Sequence, residues 1–156
     1  MGPPTLAGFT AFAIGMLGLT TQQQPAAFWF QTAFTVAMDI VNQVIQQASA
    51  DLYTLAVYNL ATSNLINFAL DPQGSPAIQG SNPPSAFFAN QRAVYKINSF
   101  SAGVVENASD QSTSAGLKVP DWAAGLTIAD LQLAKDPYGR RYLGFAQKFG
   151  TLWGIT

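Results

Sequence analysis

Apolar residues recur at three- and four-residue spacing in the first part of the chain and again near its end. The pattern predicts helices near 5–17, 25–47, 50–70, 127–135 and 137–149. Thr5 is placed to cap the first, which is apolar almost throughout and ends near Gly15 or Gly18. Pro25 opens the second, where a missing N–H costs nothing. Phe30, Phe34, Ala37, Val41 and Val44 form its apolar face, opposite Asp39, Asn42, Gln43 and Gln46. Phe28 and Trp29 are surplus apolar residues near its start, readable as core or as a subunit interface, where aromatics are enriched. Ser49 caps the third helix, with Asp51 near its positive end. Tyr53, Val57, Leu60, Asn64 and Phe68 line one face, and Asn59, Thr62, Ser63 and Asn67 offer only neutral polarity elsewhere. A solvent-facing helix carries charge, so this one is expected to meet neighbours on more than one side. Asp71-Pro72 stops it.

Residues 71–92 are rich in Pro, Gly, Ser and Asn and read as a long loop, with Phe87 and Phe88 as anchors on another subunit. Helical periodicity is absent from 94–119. The β-branched residues there, Val104 and Val105 among them, predict a β-hairpin with arms at 102–108 and 113–119. The segment 71–120 as a whole is expected to order itself on neighbouring subunits. Thr127 and Asp130 form a variant capping box for the fourth helix.

The fifth helix joins a packing face to a charged face. Asp136 is its cap and Pro137 its first residue. Tyr138, Tyr142, Phe145 and Phe149 make one aromatic stripe, Arg140, Arg141 and Lys148 lie off it, and Gly150 can end the helix in a left-handed conformation. The tail beyond, TLWGIT, is apolar and uncharged. The expectation is a mainly α fold: one domain over 1–156, with a helical bundle from about 5–70 and 127–149. A loop and hairpin protrusion occupy 71–120, and a C-terminal tail 150–156.

Charge sharpens this picture. Only 10% of residues are charged while 49% are hydrophobic, so the chain is either membrane-bound or covers much of its surface with other subunits. All seven basic residues lie from Arg92 onward, and the part before it is acidic through Asp39, Asp51 and Asp71. A net charge of −1 argues against a protein that holds nucleic acid by its phosphates. Residues 6–19 lack the basic lead of an export signal and are too short to span a bilayer. Residues 25–45 are long enough but amphipathic, so no membrane partner is expected.

Catalytic chemistry is sparse. The chain has no His and no Cys, which removes the commonest general base, the commonest metal ligand and every thiolate. No phosphate-binding glycine loop or nucleophile elbow is present. Glu106, the single Glu, pairs on paper with Asp110 or Asp121 as a glycosidase-type couple. Those residues sit in a polar hairpin and its flank, and read as solvated loop carboxylates. No catalytic residue, cofactor or metal is expected.

Two stretches resemble the head–tail connector (adaptor, or head-completion) proteins of tailed bacteriophages. One is INSFSAGVVENASDQSTSAG, with Ser99 to Gly103 and Ser112 to Ser114 as the matched positions. The other is the block with Thr127, Asp130 and Leu131 followed by Pro137-Tyr138-Gly139-Arg140-Arg141-Tyr142-Leu143. The resemblance covers about residues 28–150, and the N-terminal third departs from it by carrying fewer charges. It implies a structural subunit of the virion neck, assembled in the host cytoplasm and forming a ring, usually twelve-fold, beneath the portal. Such a ring extends the DNA channel and passes double-stranded DNA without sequence-specific binding, as a near-neutral wall allows. Its partners would be the portal and a tail, nozzle or tail-terminator protein. The resemblance also places the C-terminal segment at the portal, through Phe149, Leu152, Trp153 and Ile155, with Arg140, Arg141 and Lys148 around that contact. Phe87, Phe88, Val104 and Val105 are the expected inter-subunit residues. Two other classes compete: a small membrane-inserted phage protein, and a connector with wall-hydrolase activity resting on Glu106.

Overall fold

The computed structural model describes residues 2–72, 86–98, 104–107, 116–118 and 132–149. Among them the fold is mainly α, with six helices: α1 Leu6–Leu17, α2 Ala27–Ile40, α3 Val44–Ala48, α4 Ala50–Phe68, α5 Phe87–Val94 and α6 Pro137–Lys148. No helix among the described residues is long and apolar enough to cross a membrane.

α4 is the axis of the bundle. It is covered by α1, α2, α3, α5 and α6, and 12 of its 19 residues are buried. The expectation of neighbours on several sides therefore holds within the chain itself. Three of its buried polar side chains donate to the helix's own carbonyls one turn back, while Asn59 Oδ1 stays buried without a partner. Thr54 Oγ1 donates to the Ala50 carbonyl (3.0 Å), Asn59 Nδ2 to that of Leu55 (2.7 Å) and Thr62 Oγ1 to that of Tyr58 (2.8 Å). Neutral polarity thus becomes compatible with burial. Phe68, expected on the packed face, emerges at the end of the helix and is 58% exposed. The core around α4 contains Phe9, Phe30, Ile45, Val57, Leu60, Leu65 and Phe88. Phe9 stacks on Phe34 with ring centres 6.0 Å apart.

Both predicted ends of α1 hold. Thr5 Oγ1 accepts from the Gly8 N–H at 3.1 Å, and Gly18 closes the helix in the left-handed region at φ 64°, where a side chain would be strained. The predicted second helix differs at both ends. Pro25 is buried and lies ahead of the helix, because Ala26 is extended (ψ 145°) and α2 begins only at Ala27. After Ile40 the chain extends at Val41, and Asn42 Oδ1 takes the Val44 N–H at 2.9 Å, so a separate α3 follows. The break changes the helical phase. Val44, expected in the core, is exposed, and Ile45 takes its place fully buried.

The predicted loop over 71–92 contains α5. Its own cap residue, Ala86, contributes no side-chain bond. Asp71, at the far end of the segment, supplies the cap: Oδ1 accepts from the Phe88 N–H (2.7 Å) and Oδ2 from the Ala89 N–H (3.0 Å). Arg92 completes a reciprocal arrangement, donating from Nη1 to the Ile66 and Ala69 carbonyls at the end of α4. Phe88 is completely buried in the chain's own core and Phe87 packs against it. Phe88, expected at another subunit, thus fills the chain's own core because α5 docks on α4, while Phe87 keeps an exposed part. The segment from 86 to 98 likewise packs on its own chain. Lys96, at φ 52°, ends α5 with bonds from its N–H to Ala93 and from the Ile97 N–H to Arg92, which swing Ile97 into a small cluster with Ile66 and Tyr138.

Val104–Asn107 and Gly116–Lys118 run antiparallel, with Val104 opposite Lys118. The rest of the predicted hairpin arms, most of the predicted helix 127–135, Gly150 and the tail lie outside the described residues.

Because Phe88 fills the chain's own core, Phe88→Ala should lower the stability of the isolated subunit by about 3–5 kcal/mol. Urea unfolding of the subunit measures it. An unchanged midpoint would return Phe88 to an interface.

Candidate functional site

The described residue types with the most concentrated polar chemistry gather where α6 begins. Asp136 has no solvent exposure. Its Oδ1 accepts from the Tyr138 N–H (2.9 Å) and the Gly139 N–H (2.8 Å), the free donors of the first turn of α6. Its Oδ2 accepts from Ser63 Oγ (2.7 Å) and, more weakly, from Asn67 Nδ2 (3.4 Å), both on α4. Asn67 Oδ1 in turn accepts from Gln132 Nε2 at 3.2 Å. One carboxylate is thus both the cap of α6 and its lock on α4, with the positive helix end as electrostatic support.

The residues after it reinforce the joint. Pro137 occupies the first helical position. Gly139 faces the Leu133 carbonyl so closely that a Cβ there would overlap it. Tyr138 donates from its hydroxyl to the Met16 carbonyl at 3.0 Å, tying α6 to α1. Lys135 Nζ donates to the Ile97 carbonyl at 2.9 Å. The Pro-Tyr-Gly block therefore acts as a three-way joint. Burial pushes the Tyr138 hydroxyl above its usual range, reinforced by the neighbouring Tyr95 and Asp136 and opposed by Arg141.

Downstream, the aromatic stripe packs as expected. Tyr142 is buried, and Phe145 and Phe149 pack half-buried against the main core. Phe149, assigned from sequence to the portal contact, therefore also serves the subunit's own bundle. Arg140, Arg141 and Lys148 are all exposed. Arg140 bends back, its Nη1 donating to the Ala134 (3.3 Å) and Lys135 (3.4 Å) carbonyls. Leu152, Trp153 and Ile155 lie outside the described residues, as do the side chains of Val104 and Val105 and the carboxylates of Glu106, Asp110 and Asp121.

A second feature was not anticipated. Between α2 and α4 lies an apolar groove of about 290 Å³, lined by Trp29, Ala33, Val36, Asn64, Leu65 and Phe68 among others. Asn64 Nδ2 is buried beside it with no hydrogen-bond partner. Phe68 in its lining is more than half exposed, and α2 exposes Phe28 and Ile40 to the same degree. The hint in the sequence was Asn64 at an apolar register position, together with the surplus aromatics Phe28 and Trp29.

Two expected outcomes follow from the joint. Asp136→Ala strands two backbone donors and the Ser63 hydroxyl, so it should cost about 2–4 kcal/mol in urea unfolding. Ser63→Ala should cost about 1 kcal/mol, and less when Asp136 is already Ala, since the two share one bond. The second outcome concerns pH. A tyrosine whose folded value is raised favours folding while neutral. Its contribution is complete below the ordinary value of 10.0 and is lost as pH rises through the higher folded value. Tyr138→Phe should therefore flatten the fall in stability at strongly alkaline pH, measured by pH-dependent thermal unfolding. The raised Tyr53, also through burial, should leave part of that fall in place.

No family model, no curated protein and no solved structure matches this chain.

Proposed function

We propose that the chain is a structural virion protein, a head–tail connector whose copies form a ring beneath the portal, extend the DNA channel and attach the tail. The observation that carries the reading is the Pro137–Leu143 block. It is the strongest part of the resemblance to connector proteins. In this chain it is a packed joint from which a helix with an exposed cationic face leads directly into an uncharged apolar tail. A β-hairpin within 97–119 supplies the protruding arm, and the antiparallel pairing of Val104 with Lys118 supports it. The charge-poor composition suits permanent assembly, and a near-neutral lumen lets DNA pass without gripping its phosphates. The reading involves no enzymatic step, cofactor or membrane.

Within it, Leu152, Trp153 and Ile155 anchor the subunit to the portal, with Lys148 at the helix end as the nearest cation. An aromatic anchor of this kind typically contributes about 2 kcal/mol or more, and the cation mainly sets orientation and association rate. Electron microscopy of the purified protein with portal and with virions should show a ring at the neck. Truncation after Gly150 should leave a folded subunit of normal size that no longer pulls down portal. A truncated protein that binds portal at full strength would remove the tail assignment, and images without any ring would remove the connector reading.

A further inference from the structure

We propose that the α2–α4 face is one half of a head-to-tail contact between copies of this chain, and that the outer face of α6 around Arg141 is the other half. This rests on the ring reading and names the surfaces that close it.

The α2–α4 face is unfinished in the single subunit. Val36 of α2 and Phe68 of α4 line the groove at 40% and 58% exposure, and α2 also exposes Ile40, one turn beyond Val36, at 56% and Phe28 at 65%. Large apolar side chains so exposed around one groove mark a surface that is covered in use. The buried, partnerless Asn64 Nδ2 beside the groove points the same way, since a buried donor normally finds an acceptor.

Charge indicates what covers it. Asp39 is exposed on α2 between Val36 and Ile40, and no Lys or Arg occurs before Arg92. Two copies of this face placed against each other would oppose carboxylates with no cation to separate them. The covering surface therefore carries positive charge, and the chain has one. Arg141 and Gly144, at i and i+3, are exposed and begin a stripe on α6 that runs on toward Lys148, the cation kept for the portal contact. A Cβ built on Gly144 would meet nothing within 4 Å, so the middle of this stripe is open to an approaching side chain. Neither Asp39, Arg141 nor Lys148 forms an ion pair among the described residues. Two unlike, complementary patches on one chain give a heterologous contact, which generates a ring when its rotation closes. Arg141 is thus moved from the portal contact, where sequence placed it, to the neighbouring subunit. It stands two turns, about 10 Å, back from the helix end.

The test is sedimentation of the full chain over a concentration series, with circular dichroism as the check on folding. Wild type should assemble as concentration rises. V36E/I40E should stay helical and self-associate at least about tenfold more weakly, as truncated hot spots do. D39R and R141E should each weaken assembly, and D39R/R141E should restore most of it. The charge exchange uses only exposed positions, so it remains decisive if V36E/I40E fails to fold. A wild type that stays monomeric at every concentration would overturn the inference. So would V36E/I40E assembling normally, or a double exchange no better than its single parents. If V36E/I40E instead lost portal binding while self-association stayed intact, a partner other than a second copy would cover the face, and the inference would fall. The connector reading fails separately, through absence of rings at the neck.

Discussion

A helix buried along most of its length has little water to satisfy its polar side chains, and the whole bundle depends on how α4 meets that constraint. Thr54, Asn59 and Thr62 return hydrogen bonds to their own helix, which leaves the surface of α4 effectively apolar to its neighbours. Ser63 and Asn67 point outward to a carboxylate instead. The same helix thus presents a mainly apolar seat for α1, α2 and α5, with Tyr58 bonded to Thr5 and Arg92 to the Ile66 and Ala69 carbonyls, and a polar socket for α6. Filling that socket with one acid and four donors specifies register as well as contact, because a shift of one residue would strand the buried Asp136.

Two of the four described aspartates serve as structural caps, and Asp39 and Asp51 are exposed. Asp71 caps a helix whose first residue is far along the chain, and Asp136 caps the helix it precedes. Arg92 and Arg140 do the corresponding work on carbonyls. Asp39 on α2 and Arg141 and Lys148 on α6 are among the exposed charges. A subunit built this way has directional surfaces despite its low charge.

Local signals carried the parts of the fold that depend on near neighbours. The caps at Thr5, Ser49 and Asp136, the left-handed end at Gly18 and the aromatic stripe of α6 were legible because each involves residues within a few positions of one another. The mainly α class and the many-sided packing of the third predicted helix followed from periodicity and from missing charge.

Other features are long-range and could not be read that way. α5 was hidden in a Pro- and Gly-rich stretch because its cap, Asp71, stands 17 residues from the N–H it receives. The break after Ile40 went unseen because extending Val41 reverses no composition signal; it only exchanges Val44 for Ile45 in the core. Asp136 could be read as a cap, but its bond to Ser63 spans 73 residues and appears only when α4 and α6 meet. The groove beside Asn64 likewise exists only between two helices. What the sequence determined by itself was α1, α4 and α6 with their local caps, where the deciding atoms are a turn apart. Tertiary structure decided which polar residues became joints and which apolar residues stayed outside, because burial belongs to the packed arrangement and to no residue alone.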